Sequence, residues 1–325
     1  MRAPTLKNMT DCEKQQENPH VSVMMKEVID MLQLKPGGVY VDGTVGLGGH
    51  SAAILCKIQP NGFLIGIDRD NESLSKAGER LKSFPGSYRL VHDNYKNLPL
   101  TLNRLGIESV DGVLLDLGVS SWQLLSPDRG FSFQADAMLD MRMDRTQSRT
   151  AAAIVNETPE SELADIIYRY GEERFSRRIA AAIVNERVLS PVTRCAQLAG
   201  IVSRVVPKRG RQGIHPATRT FQALRIAVNE ELGGLEEFIP EIACFLKPRG
   251  RFAVIAFHSL EDRIIKRAFR KLAGQCVCDA PPELCRCDRK VSAKILTSRP
   301  ITPGMEEVDD NPRARSARLR AVEKI

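Results

Sequence analysis

Nine consecutive residues, Asp42-Gly43-Thr44-Val45-Gly46-Leu47-Gly48-Gly49-His50, hold the densest chemical signal in this sequence. Glycines at such density let a turn adopt positive φ and bring backbone N–H groups close to a ligand at a helix start. The dinucleotide fingerprint G-x-G-x-x-G is not completed, because the position of its third glycine after Gly46 and Gly48 is Ser51. Asp68 lies 20 residues beyond Gly48, at the end of the apolar run Phe63-Leu64-Ile65-Gly66-Ile67. That is the placement of a carboxylate that accepts hydrogen bonds from a ribose diol. A glycine turn joined to a ribose acid predicts a nucleoside-containing cofactor, either NAD or S-adenosylmethionine.

Three further groups carry chemistry. Cys276, Cys278, Cys285 and Cys287 form C-x-C-x6-C-x-C among Pro, Asp and Arg, hence in a loop; the four read either as thiolates around a tetrahedral zinc, though C-x-C is tighter than the usual C-x2-C, or as unliganded loop thiols. The string FHSLED brings His258, Glu261 and Asp262 to the end of an apolar run, close to where a substrate would sit; a helix cap by Ser259 is the alternative. Basic clusters stand at Arg174, Arg177 and Arg178, at Lys208, Arg209 and Arg211, and at Arg313, Arg315, Arg318 and Arg320. They read as phosphate-binding surfaces or as solvated faces.

The elements that must position these groups alternate in type. A helix with Met24, Val28, Met31 and Leu32 at helical spacing stops at Lys35-Pro36-Gly37-Gly38. Apolar runs ending in acids follow at Val39–Asp42, Phe63–Asp68 and Val113–Asp116, with a further strand at Tyr88–Val91 and helices at 51–58 and 71–82. The pattern predicts a parallel α/β sheet, with Asp42, Asp68, Asp93 and Asp116 at the carboxyl strand ends, where such sheets bind ligands. From 126 to 228 the strands lapse and helices are predicted at 160–170, 175–187 and 196–206. Alternation resumes with a helix over 229–246, a stop at Lys247-Pro248-Arg249-Gly250, a strand at 251–257 and a helix at 260–272. The organisation read from this is a tail at 1–19, an α/β domain at 20–125 and 229–325, and a helical insertion at 126–228.

Charge follows the same division. Residues 1–125 are net −1, residues 126–228 net +5 and residues 247–325 net +8, within a total of 47 basic and 40 acidic side chains. A near-neutral half beside basic segments suggests a small-molecule site next to a polyanion surface. No run reaches the roughly 18 apolar residues of a membrane helix. The first 18 residues lack the apolar stretch of a signal peptide. The chain is therefore expected to be soluble and cytoplasmic, its eight cysteines reduced rather than forming a disulfide framework.

The strings DGTVGLGGHSAAIL, GIDRD, LLDLGVSSWQL, RGFSF, DMRMD, HPATRTFQALRIAVNEEL, AFHSLEDRIIK and NPRARSARLR resemble the RsmH (MraW) family of 16S rRNA cytosine-N4 methyltransferases, from about His20 to Arg320. The resemblance implies a class I (Rossmann-like) methyltransferase sheet with an inserted, mainly helical domain, S-adenosylmethionine as cofactor, and a cytidine in the decoding region of 16S rRNA as substrate. It places Gly48, Gly49 and His50 along the methionine end of the cofactor, Asp68 on the ribose, and Tyr95, Asp116 and Gln123 among the cofactor contacts. Asp116 is also the first candidate to accept the amine proton, with Ser120 and His258 behind it. Two departures stand out: Thr44 replaces the first glycine of the wider acid-x-G-x-G-x-G pattern, and Asp116-Leu117-Gly118-Val119 replaces the N/D-P-P-Y/F string common in exocyclic-amine methyltransferases. The N4 acceptor therefore rests on the resemblance alone. The rival classes are a methyltransferase of this fold acting on another nucleic acid or on protein, a non-catalytic RNA-binding or ribosome assembly factor, and a dehydrogenase. Self-association into a homo-oligomer is left open.

Overall fold

A computed structural model describes residues 22–133, 136–207, 215–278, 280–286 and 289–325. The 1–19 tail, Lys208, Arg209, Arg211 and Cys287 lie outside the described residues. The chain forms two compact units, Met1–Gly118 with Gly234–Ile325, and Val119–Gly233.

The first unit opens with α1 (Met25–Leu32), β1 (Val39–Asp42), α2 (Gly49–Ile58), β2 (Phe63–Asp68), α3 (Asn71–Arg80), β3 (Tyr88–His92), α4 (Leu98–Arg104) and β4 (Val110–Asp116). The second unit contributes α5 (Ser121–Leu125), α6 (Ala151–Glu157), α7 (Glu160–Gly171), α8 (Ser176–Leu189), α9 (Cys195–Val205) and α10 (Thr218–Asn229). The first unit then resumes with α11 (Leu235–Cys244), β5 (Leu246–Ala256), α12 (Ser259–Leu272), β6 (Ala293–Ile295), α13 (Met305–Asp310) and β7 (Arg318–Lys324).

Its seven strands lie in the order β3-β2-β1-β4-β5-β7-β6. The first five are parallel and β7 runs antiparallel to both its neighbours. The sheet is thus mixed rather than wholly parallel, and it is the class I (Rossmann-like) methyltransferase sheet expected. Successive strand residues alternate between two cores. Ile65, Val113, Leu115, Phe252 and Val254 pack with α4, α11 and α12, whereas Leu64, Leu114, Ala253 and Ile255 pack with α1 and α2. A strand buried on both faces must read as a continuous apolar run, which is why these segments are recognisable without an alternating pattern. The chain order reverses between β1 and β4, and the crevice beyond their carboxyl ends is where such sheets take ligands.

Two local readings change. The stop at residues 247–250 is the beginning of β5, accommodated by a register shift against β4 between Val110 and Gly112. The basic C-terminal cluster is divided: Arg313 and Arg315 lie in a short 3-10 turn, Pro312–Ser316, and Arg318 and Arg320 in β7, inserted between β5 and β6.

The second unit has its own core, formed by Ile154, Val155, Leu163, Ile167, Ile179, Ile183, Leu198, Val202 and Leu224 from its helices together with Leu139, Met141 and Met143 from a loop. It extends beyond 126–228 at both ends, for physical reasons. Val119 and Leu124 pack on that core. Asn229 accepts from Met143 N–H at 2.8 Å and donates to the Met141 carbonyl at 2.8 Å, and Glu231 forms a two-pronged ion pair with Arg225. Both flanks therefore belong to the second unit. Among the described residues no helix is long and apolar enough to cross a membrane.

Candidate active site

Asp42, Asp68 and Asp116 end β1, β2 and β4. Register sets Asp42 level with Gly66 and Leu114, so the glycine loop leaving β1 lies over the ends of both neighbours. The loop is strapped to each: Gly43 N–H donates to the Leu114 carbonyl at 2.9 Å and Val45 N–H to that of Ile67 at 3.0 Å. A methyl group on Gly43 would come within 2.5 Å of Leu115 Cδ2 and displace that side chain, while Gly48, at φ +77°, demands glycine. Asp68 accepts from Gly46 N–H at 2.7 Å and from Asp70 N–H at 2.9 Å. The surrounding protein nevertheless raises its carboxyl to about 6, because burial outweighs both hydrogen bonds.

The two positions at which the glycine patterns fail are both tied into the site. Thr44 Oγ1 accepts the Asp116 backbone N–H at 2.6 Å, and Ser51 Oγ donates to Asp42 Oδ2 at 2.6 Å. Thr44 couples the loop to the end of β4, while Ser51 anchors the start of α2 to the end of β1. Neither tie was found in the sequence, where both residues read only as departures from a pattern. Asp42 is fully buried, and burial raises its carboxyl above the usual range against the opposing effects of Ser51 and His50. Thr44→Val keeps the side-chain shape but leaves the Asp116 N–H without its acceptor. It is expected to lower stability by about 1–2 kcal/mol and to loosen cofactor binding, as read by denaturant titration and calorimetry; unchanged values for both would remove Thr44 from this role.

His50, on the first turn of α2, is 5% exposed and places Nε2 3.6 Å from Asp116 Oδ2. Burial disfavours the imidazolium, but the Asp116 carboxylate, with Asp42 beyond it, outweighs burial and raises the His50 pKa. Both ring nitrogens of His50 and Oδ1 of Asp116 are buried without a hydrogen-bond partner. Buried polar atoms are rarely left so. Here they face the loop and strand ends where the ligand crevice is expected, so the residues present fit a bound group that offers donors to Asp116 and Asp68.

Tyr95 follows β3, half-buried, its ring edge-on to Phe238 at 5.2 Å, and its Cβ is one of the atoms that a side chain on Gly43 would crowd. Gly48, Gly49, His50, Asp68, Tyr95 and Asp116 thus share the loop side of one sheet. Ser120 and Gln123 belong to the second unit, where they form a reciprocal capping box: Ser120 Oγ accepts from Gln123 N–H and Gln123 Oε1 from Ser120 N–H.

The FHSLED residues divide by partner. His258, not Ser259, caps α12, its Nδ1 accepting from Glu261 N–H at 3.4 Å, while its Nε2 lies 3.2 Å from Glu261 Oε1. Asp262 instead holds Arg320 through two contacts, at 2.6 and 3.2 Å, and Arg318 at 3.1 Å. Arg320 is 6% exposed. Its assignment to an RNA surface is corrected: the pleat of β7 turns it toward α12, where it neutralises a buried carboxylate.

Arg174, Arg177, Arg178, Arg313, Arg315 and Arg318 are exposed. The guanidinium groups of Arg174 and Arg178 lie over the Phe175 ring at 4.8 and 5.6 Å, which presents planar cations at the second unit's surface. Cys276, Cys278 and Cys285 come together, while Cys195 and Cys244 stand elsewhere; none of these five forms a disulfide. Cys56 is disulfide-bonded, which departs from the expectation of reduced thiols throughout.

Residues 17–325 match the MraW methylase family. The chain is 50% identical over 307 residues to the ribosomal RNA small subunit methyltransferase H of Citrifermentans bemidjiense, covering 94% of this chain and 98% of that one. It is 49% identical over 309 residues to the protein of the same name from Halothermothrix orenii (94% and 98%). It is 46% identical over 307 residues to that of Clostridioides difficile (94% and 99%).

Proposed function

Because the chain belongs to the MraW methylase family, we propose that it is an S-adenosylmethionine-dependent methyltransferase that methylates N4 of a cytidine in the decoding region of 16S rRNA, in the cytoplasm. The observation that carries the reading is the pairing of buried His50 with half-buried Asp116, 3.6 Å apart beside the glycine loop, where Asp116 Oδ1 and both His50 ring nitrogens lack a hydrogen-bond partner. The rRNA substrate is supported by the names of relatives near 50% identity, and the N4 position by the family resemblance of the motifs.

The bound cofactor supplies an electrophilic methyl group on a sulfonium. This chain's residues supply position and charge. Asp68 accepts from the ribose hydroxyls, and the turn through Gly46 and Gly48 brings backbone close to the ligand. Gly49 and His50 would line the methionine end, with Tyr95 beside them; a part for Gln123 rests on the family resemblance alone. Asp116 Oδ1 accepts the hydrogen on cytosine N4, which aims the nitrogen lone pair. During methyl transfer Asp116 would balance the positive charge that develops on the amine nitrogen and take its proton. Cytosine N4 is a weak nucleophile because its lone pair is delocalised, so alignment dominates; it supplies on the order of 7–11 kcal/mol in well-oriented systems. The Asp116 carboxylate favours the charged form of His50, and the imidazole, 3.6 Å away, would orient the Asp116 side chain. The target base must leave its stack, at a cost of a few kcal/mol that is least in single-stranded or distorted RNA.

Arg174, Arg177 and Arg178 in the second unit, and Arg313, Arg315 and Arg318 in the first, are proposed as the RNA-binding cations, with Lys208, Arg209 and Arg211 outside the described residues. Arg313→Glu with Arg315→Glu should lower the slope of log K against log salt by about 1.4 for single-stranded RNA, two phosphate contacts being lost. An unaltered slope would make that surface a solvated face.

The test of the whole reading is transfer of a labelled methyl group to small ribosomal subunits, naked rRNA and total tRNA, followed by nucleoside mass spectrometry. N4-methylated cytidine from rRNA is the expected product. Label in tRNA or at another atom would redirect the substrate, and no transfer to any acceptor would leave an RNA-binding assembly factor.

A further inference from the structure

The loop from 273 to 292 joins α12 to β6, and not one of its described residues is buried. Leu284 and Val291, which could have anchored it, are 70% and 55% exposed. At its base the two arms meet through an isolated antiparallel bridge, Ala273 with Val291, and a Ser292 N–H bond to the Leu272 carbonyl. The approach is so close that a methyl on Gly274 would lie 2.6 Å from the Arg289 carbonyl. Towards the tip the only convergence among described side chains is sulfur. Cys276 Sγ is 3.4 Å from both Cys278 Sγ and Cys285 Sγ, and the three sulfurs lie within 4.8 Å of one another.

A segment without a core needs another source of order, and a metal clip is the usual one in small cysteine-bearing loops. Thiol–thiol contacts alone are weak. A disulfide needs its sulfurs about 2.05 Å apart and would use only two of the three. Zinc bound at about 2.3 Å by tetrahedrally disposed thiolates sets its sulfurs about 3.8 Å apart, close to the observed spacing, and uses all three. The loop's three bases, Arg286, Arg289 and Lys290, balance its three acids, Asp279, Glu283 and Asp288, so the segment is formally neutral apart from its thiols. By contrast Cys195 is a core residue whose thiol burial pushes up to about 11, an inert position.

We infer that Cys276, Cys278 and Cys285 bind a structural zinc ion that clips the 273–292 loop. Each thiol gives up its proton on binding, so loading releases protons and fails in acid. No part in methyl transfer is assigned to the metal, and the inference stands apart from the proposed substrate.

The experiment is metal analysis of the full-length chain, purified under reducing conditions without a metal-affinity tag. Stoichiometric zinc is expected, with Cys276→Ser losing most of it and Cys244→Ser, at a separate exposed cysteine, keeping it. Should Cys276→Ser fail to fold, wild-type protein carries the test. Chelation should accelerate both alkylation of Cys276, Cys278 and Cys285 and proteolysis within 273–292, and added zinc should reverse both. Absence of zinc, iron in its place, or alkylation and cleavage rates indifferent to chelator would overturn the assignment.

Discussion

Asp116→Asn should reduce methyl transfer to rRNA by about 10²–10⁴-fold while the protein stays folded, the range by which a single positioned proton acceptor contributes. Asparagine keeps the size of the side chain and leaves the backbone bond to Thr44 intact, so the change removes charge and proton affinity rather than shape. It also removes the group that does most to raise the His50 pKa. The His50 imidazole should then titrate lower, since burial, which disfavours its charged form, is opposed only by the weaker effects of Asp42 and the Val23 backbone. Single-turnover rates report the first effect and imidazole NMR the second. Near-normal turnover with a displaced His50 titration would show that Asp116 orients His50 without touching the acceptor. Normal turnover with no change at His50 would dismiss the pair altogether.

Asp68→Ala should weaken S-adenosylmethionine binding by about 10²–10⁴-fold, because two hydrogen bonds from ribose hydroxyls to a charged acceptor are lost, each contributing about 1.5–3 kcal/mol. RNA affinity should hardly change. The same carboxyl makes cofactor binding pH-dependent. With its pKa at about 6 in the unliganded protein, Asp68 is ionised above that value and protonated below it. The ionised form is the better acceptor, so affinity should fall as pH drops through 6, by about tenfold between pH 7.5 and 5. The sign for stability is opposite. A carboxyl raised above its unfolded value favours the unliganded fold at low pH, and that contribution fades as pH rises from about 4 to 6. Calorimetry across this range reads the first slope, and denaturation of wild type against Asp68→Ala reads the second. A flat affinity profile would separate Asp68 from the ribose.

Much of the site could be read before any coordinates. Glycines at 43, 46, 48 and 49 after a short apolar run, followed by acids closing the next runs, are local features that mark strand ends and a ligand turn. The predicted helices at 51–58, 71–82 and 260–272 differ from the observed ones by only a few terminal residues. What escaped was pairwise. Thr44 and Ser51 look like failures of a glycine pattern until β4 and β1 bring Asp116 N–H and Asp42 to them. Arg320 looks like part of a basic surface until β7 enters the sheet and the pleat turns it to Asp262. The limits of the second unit likewise depend on which core Val119 and Leu124 join, and on the bonds made by Asn229.

Residue type and spacing alone determined the α/β class, the glycine turn that leaves β1 and the family of this chain, because backbone conformation and apolar runs are properties of neighbours along the chain. Tertiary structure alone decided which polar groups hold one another and which, such as Asp116 Oδ1, are buried without a hydrogen-bond partner. Hydrogen bonds and ion pairs act over about 3 Å, and the residues that make them here stand 9, 58 and 72 positions apart.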